Sequence, residues 1–527
     1  MSALEIVDLR VSRPGGSRPE LERFSLSLDA GESAVLLGEV GCGKEAIMRV
    51  LGGLPQSGDE ISGTLKFPHS EIERASRHTR AHPRVAWLPG VDPMPLNPHA
   101  SVLSQLARVL ARRLQIPLES GEAELNVVMR RLEGAPSIEA LDARPRDLRR
   151  ETIAWGFFAT AFAQTPDLLL ADHPLSGIPP LHARALVRAL LDEQKRAGFA
   201  ILYAATNTEI ARLLGSRLIV MRHGKVVEEG LFERLATSQA HAYTQTLFKG
   251  AVGEPPPPRN AGRGEPVLQV YNLELQPRPK NSEASREGLT FELRRGASLA
   301  LVGEDGSGRR DLVRMLMGLK RAPTGRIVLD AVDIGVLSET MMARLRRRIA
   351  VVTGDDDVLD PRMTIWDTVA EPLRAHLRLP RNILSDYGEA ALKRVGLASL
   401  KSNTSVATLS AFDRRRLQVA RAIVSAPVLA VLDEPLRGLD AFAQSVMLDL
   451  LRNFRASEGP ASLVITADFG VARTLAETAL VMKEGRIVER GTLRDLPANS
   501  TEPFTKSLIE ASGFFAKEGV PKAPAEV

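Results

Sequence analysis

The chain has 527 residues, a formal net charge of +5, 44% apolar residues, 4% aromatics and one cysteine, Cys42; that length predicts more than one domain, with apolar content ample for packed cores. A lone cysteine excludes a disulfide framework and a cysteine-held iron–sulfur cluster, no His and Cys spacing suggests zinc, and interspersed charges with few aromatics argue against a nucleic-acid partner. No apolar run reaches the roughly 20 residues of a membrane span, and the N-terminus MSALEIVDLR lacks a signal-peptide core, so a soluble cytoplasmic chain is expected.

In chain order, the apolar run Ser33–Gly38 predicts a buried strand, followed by the loop GEVGCGKE (Gly38–Glu45) and a helical pattern. This context fits the phosphate-binding pattern G-x-x-x-x-G-K-[ST]. Its backbone N–H groups cradle phosphates, the Lys reaches the terminal phosphates and the hydroxyl holds Mg²⁺. Gly38, Gly41, Gly43 and Lys44 match the pattern, but Glu45 stands where the hydroxyl belongs. A bland alternative is that these glycines serve only a tight strand-to-helix turn.

Leu103–Leu114 reads as helix, and LLLADHP (Leu168–Pro174) as a strand ending at Asp172 and His173. The segment Ala251–Pro266 carries a proline run that favours an extended, semi-rigid linker. Strand, loop and helix then recur at SLALVG (Ser298–Gly303) and GEDGSGRR (Gly303–Arg310). Gly303, Gly306 and Gly308 are kept, Arg309 replaces the Lys and Arg310 the hydroxyl. Arg344, Arg346, Arg347 and Arg348 read as a solvated helix face. LAVLDEP (Leu429–Pro435) places Asp433 and Glu434 at a strand end.

The recurrence is a duplication. VMRHGKVVEEG, ending at Gly230, matches VMKEGRIVERG, ending at Gly491, 261 residues on, and a period this long means repeated domains. Short β-branched strands alternating with helices, together with the two phosphate loops, predict an α/β fold of two tandem P-loop NTPase domains, each a mainly parallel sheet with a helical insert. The expected boundaries are a first domain at 1–250, the linker at 251–266, a second domain at 267–512 and a tail at 513–527.

These residues resemble the ATP-binding subunits of ABC transporters, specifically the tandem subunits of oligopeptide, dipeptide and nickel importers. The resemblance rests on LSAFDRRRLQVARAI (Leu409–Ile423), VLDEPLRGLD (Val431–Asp440), DPRMTIWDTVAEPLR (Asp360–Arg374) and LNP (Leu96–Pro98), with HAYTQTLF (His241–Phe248) and EPFTKSLI (Glu502–Ile509) as C-terminal extensions. It implies two composite sites for ATP and Mg²⁺, each pairing one copy's phosphate loop with the other copy's LSGGQ signature.

Both sites depart from the family pattern. At the first, Asp172 remains to hold Mg²⁺, but His173 replaces the catalytic Glu, Gly90 the Gln and Thr206 the switch His. The facing signature keeps Ser410 and loses its glycines to Ala411 and Phe412. At the second, Asp433 and Glu434 remain, facing LRRET (Leu148–Thr152), with Gly354 at the Gln position and Ala467 at the His position. Glu434 is then either a vestigial general base or a cap of a hydrogen-bond network centred on Asp433.

Loss of a positioned base costs about 10²- to 10⁴-fold and loss of a charge-stabilising donor about 10²- to 10³-fold, so hydrolysis near background is expected. Glu45 either repels a polyanion or ligates Mg²⁺, and Arg309 and Arg310 either clamp phosphate or fill its pocket. The resemblance implies membrane permease partners and a peripheral place on the inner face of the plasma membrane. The alternative is a pseudo-ATPase scaffold in a non-transport protein assembly.

Overall fold

The computed structural model describes residues 2–13, 18–68, 70–72, 84–91, 94–205, 208–214, 217–238, 240–249, 255–256, 264–275, 288–355, 358–376, 381–424, 426–456 and 459–512. The chain divides into two compact units: Met1–Ala251 with Asp440–Ser445, and Val252–Leu439 with Val446–Val527. The second unit's first strand begins at Pro266, one residue inside the span read as linker.

Unit 1 holds a six-stranded sheet in the order Lys225–Leu231, Arg217–Arg222, Ser33–Leu37, Ala200–Ala205, Leu168–Asp172, Val85–Pro89. All neighbours are parallel except the Arg217–Leu231 hairpin. Every residue of Ala200–Ala205 is buried, as expected of a central parallel strand covered on both faces. Unit 2 repeats the order with Arg486–Thr492, Thr478–Lys483, Ser298–Gly303, Ala461–Thr466, Leu429–Asp433 and Ile349–Thr353.

Each unit also has a four-stranded antiparallel sheet that the periodicity reading did not anticipate. Its strands alternate, as Leu21–Asp29 shows with Leu21, Phe24, Leu26 and Leu28 buried between less buried neighbours. One face therefore packs on the core and the other meets water.

The helical inserts lie where the sequence placed them. In unit 1, helices Val102–Leu114, Leu118–Arg131 and Arg150–Ala163 contribute Leu106, Leu110, Leu125, Met129, Phe158 and Phe162 to the core. Unit 2 has Ile365–His376, Arg381–Arg394 and Ala411–Val424. The C-terminal extensions are helices at Ala242–Lys249 and Pro503–Ala511. Among the described residues no helix is long and apolar enough to cross a membrane.

Candidate functional site

Parallel register decides which loops meet. In unit 1 Leu37 pairs with Ala205 and Asp172 with Ala204, so the loops leaving these strands emerge at one sheet edge. In unit 2 Val302 pairs with Thr466, and Asp433 with Ile465 and Thr353. Ligands of parallel α/β sheets bind outside such carboxyl ends.

In the unit 1 loop, Gly41 (φ 80°) and Gly43 (φ 110°) take the left-handed conformation that favours glycine, and Gly306 (φ 90°) and Gly308 (φ 94°) repeat it. Gly38 and Gly303 are open-backbone positions for another reason: a side chain on either would collide with a strand carbonyl, of Met221 or Met482. Lys44 is fully buried, 0% exposed. Its Nζ donates to the carbonyls of Gly38 (3.0 Å) and Glu39 (2.8 Å) and to Glu45 Oε1 (2.9 Å), with Cys42 Sγ at 3.9 Å.

Burial works against the Glu45 charge, but the Lys44 ammonium outweighs it and holds the carboxyl below its usual range. Glu45 Oε2 is buried with no hydrogen-bond partner among the described residues. Burial, then the neighbouring Glu45 charge, pushes Asp172 up to about 6. Burial, aided by Lys44, lowers His173 to about 4, leaving a neutral imidazole at neutral pH, its Nε2 3.9 Å from Asp172 Oδ1.

Unit 2 is wired differently. Arg309 is 4% exposed. Its Nε donates to Ser307 Oγ (3.1 Å), Nη1 donates to Glu434 Oε1 (3.3 Å), and Nη2 lies 3.6 Å from Asp305 Oδ1. Glu434 has further partners: Oε1 accepts the Ala467 N–H (2.8 Å), Oε2 accepts the Thr466 hydroxyl (3.2 Å), and Arg437 approaches at 3.8 Å. Arg310 is exposed. Burial raises the Asp433 carboxyl, and its Oδ1 has no hydrogen-bond partner among the described residues. The hydrogen-bond network is therefore centred on Glu434, not on Asp433.

His173 and Glu434 share one backbone geometry, φ 49° at each, with their N–H groups bonded to Ala204 and Ile465 carbonyls. A non-glycine residue held left-handed at both copies is local strain that the surrounding structure imposes. The Gln positions are also filled by backbone: a Cβ on Gly90 would lie 2.8 Å from the His173 carbonyl oxygen, and one on Gly354 2.5 Å from that of Glu434. Neither backbone leaves room for a side chain. Thr206, at the switch-His position, lies outside the described residues.

The signature segments open helices. In unit 2, Ser410 Oγ accepts the Asp413 N–H (3.0 Å) as a helix cap, Asp413 pairs with Arg416, and Arg416 stacks on the Phe412 ring at 4.5 Å. In unit 1, Glu151 of the Leu148–Thr152 segment is buried, with Arg149 at 3.9 Å and His182 at 3.7 Å. Of the basic cluster, Arg344 and Arg347 are exposed, while Arg346 binds the Met317 carbonyl and Glu339 and Arg348 binds Asp330.

Sequence reading missed three residues. Arg415, 1% exposed, donates to the carbonyls of Pro435 and Gly354, each at 2.7 Å, tying the signature helix to the Asp433–Glu434 turn. Glu228 accepts the N–H groups of Ala240 and His241, and Glu489 accepts the Ser500 hydroxyl and the Thr501 N–H, so each anchors its C-terminal extension. Their signal was present, since both lie at matched positions in the repeated strings.

Comparison with known proteins agrees with this architecture. The family model described as ABC transporter matches residues 21–176 and 287–437, more than half the chain. The chain is 30% identical over 531 residues to the peptidoglycan transport ATP-binding protein YejF of Agrobacterium fabrum, covering 97% of this chain and 96% of that protein. It is 28% identical to the uncharacterized ABC transporter ATP-binding protein YejF of Escherichia coli K12, covering 94% and 96%. It is also 28% identical to the glutathione import ATP-binding protein GsiA of Escherichia coli, covering 93% and 86%. With both repeats matched and each phosphate loop at the carboxyl edge of its own unit's sheet, the chain belongs to the ABC transporter family and carries its ATP-binding domain twice.

Proposed function

We propose that this chain is the ATP-binding subunit of a peptide-importer-like ABC system, in which unit 1 binds nucleotide with Mg²⁺, unit 2 binds none, and hydrolysis is weak or absent. Relatives of matching length named for peptidoglycan transport and glutathione import support the importer reading. The chain would then sit against permease subunits at the inner face of the plasma membrane.

The observation that carries the reading is the Arg309–Glu434 bond. A general base needs a lone pair aimed at the water it deprotonates; Glu434 Oε1 is taken by Arg309 and the Ala467 N–H, and the Thr466 hydroxyl holds Oε2, so the carboxylate is paired with a cation and oriented toward its own unit. A buried guanidinium also occupies the position from which a lysine would reach phosphate. In unit 1 the base position holds a histidine, which burial lowers to about 4 and so makes a weaker base than an ordinary imidazole, with Asp172 Oδ1 3.9 Å away.

Nucleotide fits unit 1 better. Lys44 is retained, the loop keeps its left-handed glycines, and Asp172 and the unpartnered Glu45 Oε2 are the hard oxygen donors that Mg²⁺ takes. Among the described residues no three His, Cys, Asp or Glu side chains form a metal cluster, so phosphate oxygens and water would complete the shell. Unit 2 fails the same fit, because Arg310 brings a cation to the position of the metal-binding hydroxyl.

Purified protein is expected to turn over Mg-ATP near background, with Glu434→Gln changing that turnover little. Calorimetric ATP binding is expected to be lost in Lys44→Ala and kept in Arg309→Ala. Robust Mg²⁺-dependent hydrolysis abolished by Glu434→Gln would overturn the proposal.

A further inference from the structure

We infer that Tyr243, in the C-terminal extension of unit 1, is a positioning residue for the phosphate loop: its hydroxyl holds the peptide on which Lys44 rests. The inference rests on the reading that unit 1 takes nucleotide.

Tyr243 lies in the helix Ala242–Lys249 and is 3% exposed. Its backbone, its ring and the turn that precedes it are each held. Glu228 accepts the Ala240 and His241 N–H groups, His241 Nδ1 accepts the Tyr243 N–H at 3.1 Å, and the Arg222 guanidinium stacks on the ring at 4.8 Å. The Phe248 ring packs on Phe232 at 5.6 Å and pins the far end of the helix.

From this fixed frame the Tyr243 hydroxyl accepts the Glu39 N–H at 2.9 Å, across 204 residues of chain. That N–H belongs to the peptide whose Gly38 carbonyl accepts Lys44 Nζ at 3.0 Å, and the next carbonyl, of Glu39, accepts it at 2.8 Å. One side chain of the extension thus orders the strand-to-loop peptide that sets where the ammonium starts. A hydrogen bond contributes net about 0.5–1.5 kcal/mol, which is about two- to tenfold in the ratio of ordered to disordered loop, and apparent affinity falls with the binding-competent fraction, by at most that factor.

The second copy is an internal contrast. Its extension places Phe504 at the position matching Tyr243, 261 residues on, and that ring faces the Lys483 ammonium at 5.3 Å. Phenylalanine has no hydroxyl to offer. The copy that keeps the phosphate-binding lysine is therefore the copy that keeps the tyrosine.

The test uses the full chain, with Tyr243→Phe, which keeps the ring, and Thr246→Ala as a control on the same helix, since among the described residues Thr246 Oγ1 bonds its own helix at the Ala242 carbonyl. Without nucleotide, hydrogen exchange of the peptide spanning Glu39–Lys44 is expected to speed up about three- to tenfold in Tyr243→Phe and to stay unchanged in Thr246→Ala. Calorimetry with Mg-ATP is expected to show a raised Kd in Tyr243→Phe, by no more than that factor, and no change in Thr246→Ala, with the thermal midpoint of both variants near wild type. Unchanged exchange in Tyr243→Phe overturns the inference. Accelerated exchange with unchanged Kd also overturns it, because the loop order would then have no bearing on binding. Failure of the wild-type chain to bind Mg-ATP defeats the proposed function instead, and the exchange arm still decides whether Tyr243 orders the loop.

Discussion

Arg309 Nη1 lies 3.3 Å from Glu434 Oε1, joining the two ends of a 125-residue stretch within unit 2. The position of a phosphate-seeking cation and the position of a general base are thus consumed by each other. Removing the guanidinium leaves a part-buried carboxylate with, among the described residues, Arg437 at 3.8 Å as its remaining ion-pair partner. Arg309→Ala is expected to destabilise unit 2 by about 2–4 kcal/mol, and Glu434→Gln, which keeps the hydrogen-bond acceptor, by about 1 kcal/mol. Denaturant unfolding reads both. Equal stability of wild type and Arg309→Ala would show that the pair contributes nothing.

Glu45 holds Lys44 Nζ at 2.9 Å, and that ion pair must open before the ammonium reaches a phosphate. Glu45→Thr removes the competitor and restores a hydroxyl beside the metal position. Affinity for Mg-ATP is expected to rise about tenfold, the equivalent of one charge-assisted hydrogen bond. An unchanged or weaker Kd, read by calorimetry, would mean that the carboxylate serves better as a metal ligand than it harms as a competitor.

Cys42 is 1% exposed, and burial pushes its thiol up to about 11, the Lys44 charge opposing. A raised thiol pKa means that thiolate appears only as pH approaches that value, so at pH 8 the group is protonated as well as shielded. Iodoacetamide at pH 8 is expected to label the folded chain at least about 100-fold slower than the urea-unfolded chain, whose thiol titrates near its ordinary pKa of roughly 8.5. Rapid labelling of the folded chain would show that the phosphate loop opens readily.

Arg415 bridges the carbonyls of Pro435 and Gly354 from inside the core of unit 2. Arg415→Ala is expected to cost about 3 kcal/mol in denaturant unfolding, because two buried carbonyls lose a charged donor at once. Arg415→Lys should recover less than half of that, since one ammonium does not reproduce a planar fork that serves two acceptors. Full recovery by lysine would show that charge alone, without the fork, ties the helix to the turn.

Much of the fold was legible in the sequence. Ser33–Gly38 and Ser298–Gly303 read as strands because central parallel strands are continuous apolar runs, and they lead into glycine loops that only one backbone turn accommodates. The antiparallel sheets were not legible. Strands such as Ser2–Ser12 and Glu60–Phe67 are adjacent through pairings that local alternation does not specify.

The site divides the same way. Residue type and spacing alone determined which chemical groups stand at each loop: Lys44 with Glu45, Arg309 with Arg310, His173 against Glu434. Tertiary structure decided what each group does with its charge. Arg309 could have faced solvent, as Arg310 does, and Tyr243 could have been an ordinary core aromatic. Parallel strand register brings loops more than a hundred residues apart to one sheet edge, and burial there makes each unpaired charge costly enough to select its partner. Sequence spacing carries no information about that choice, because the energy that makes it exists only once water has been excluded.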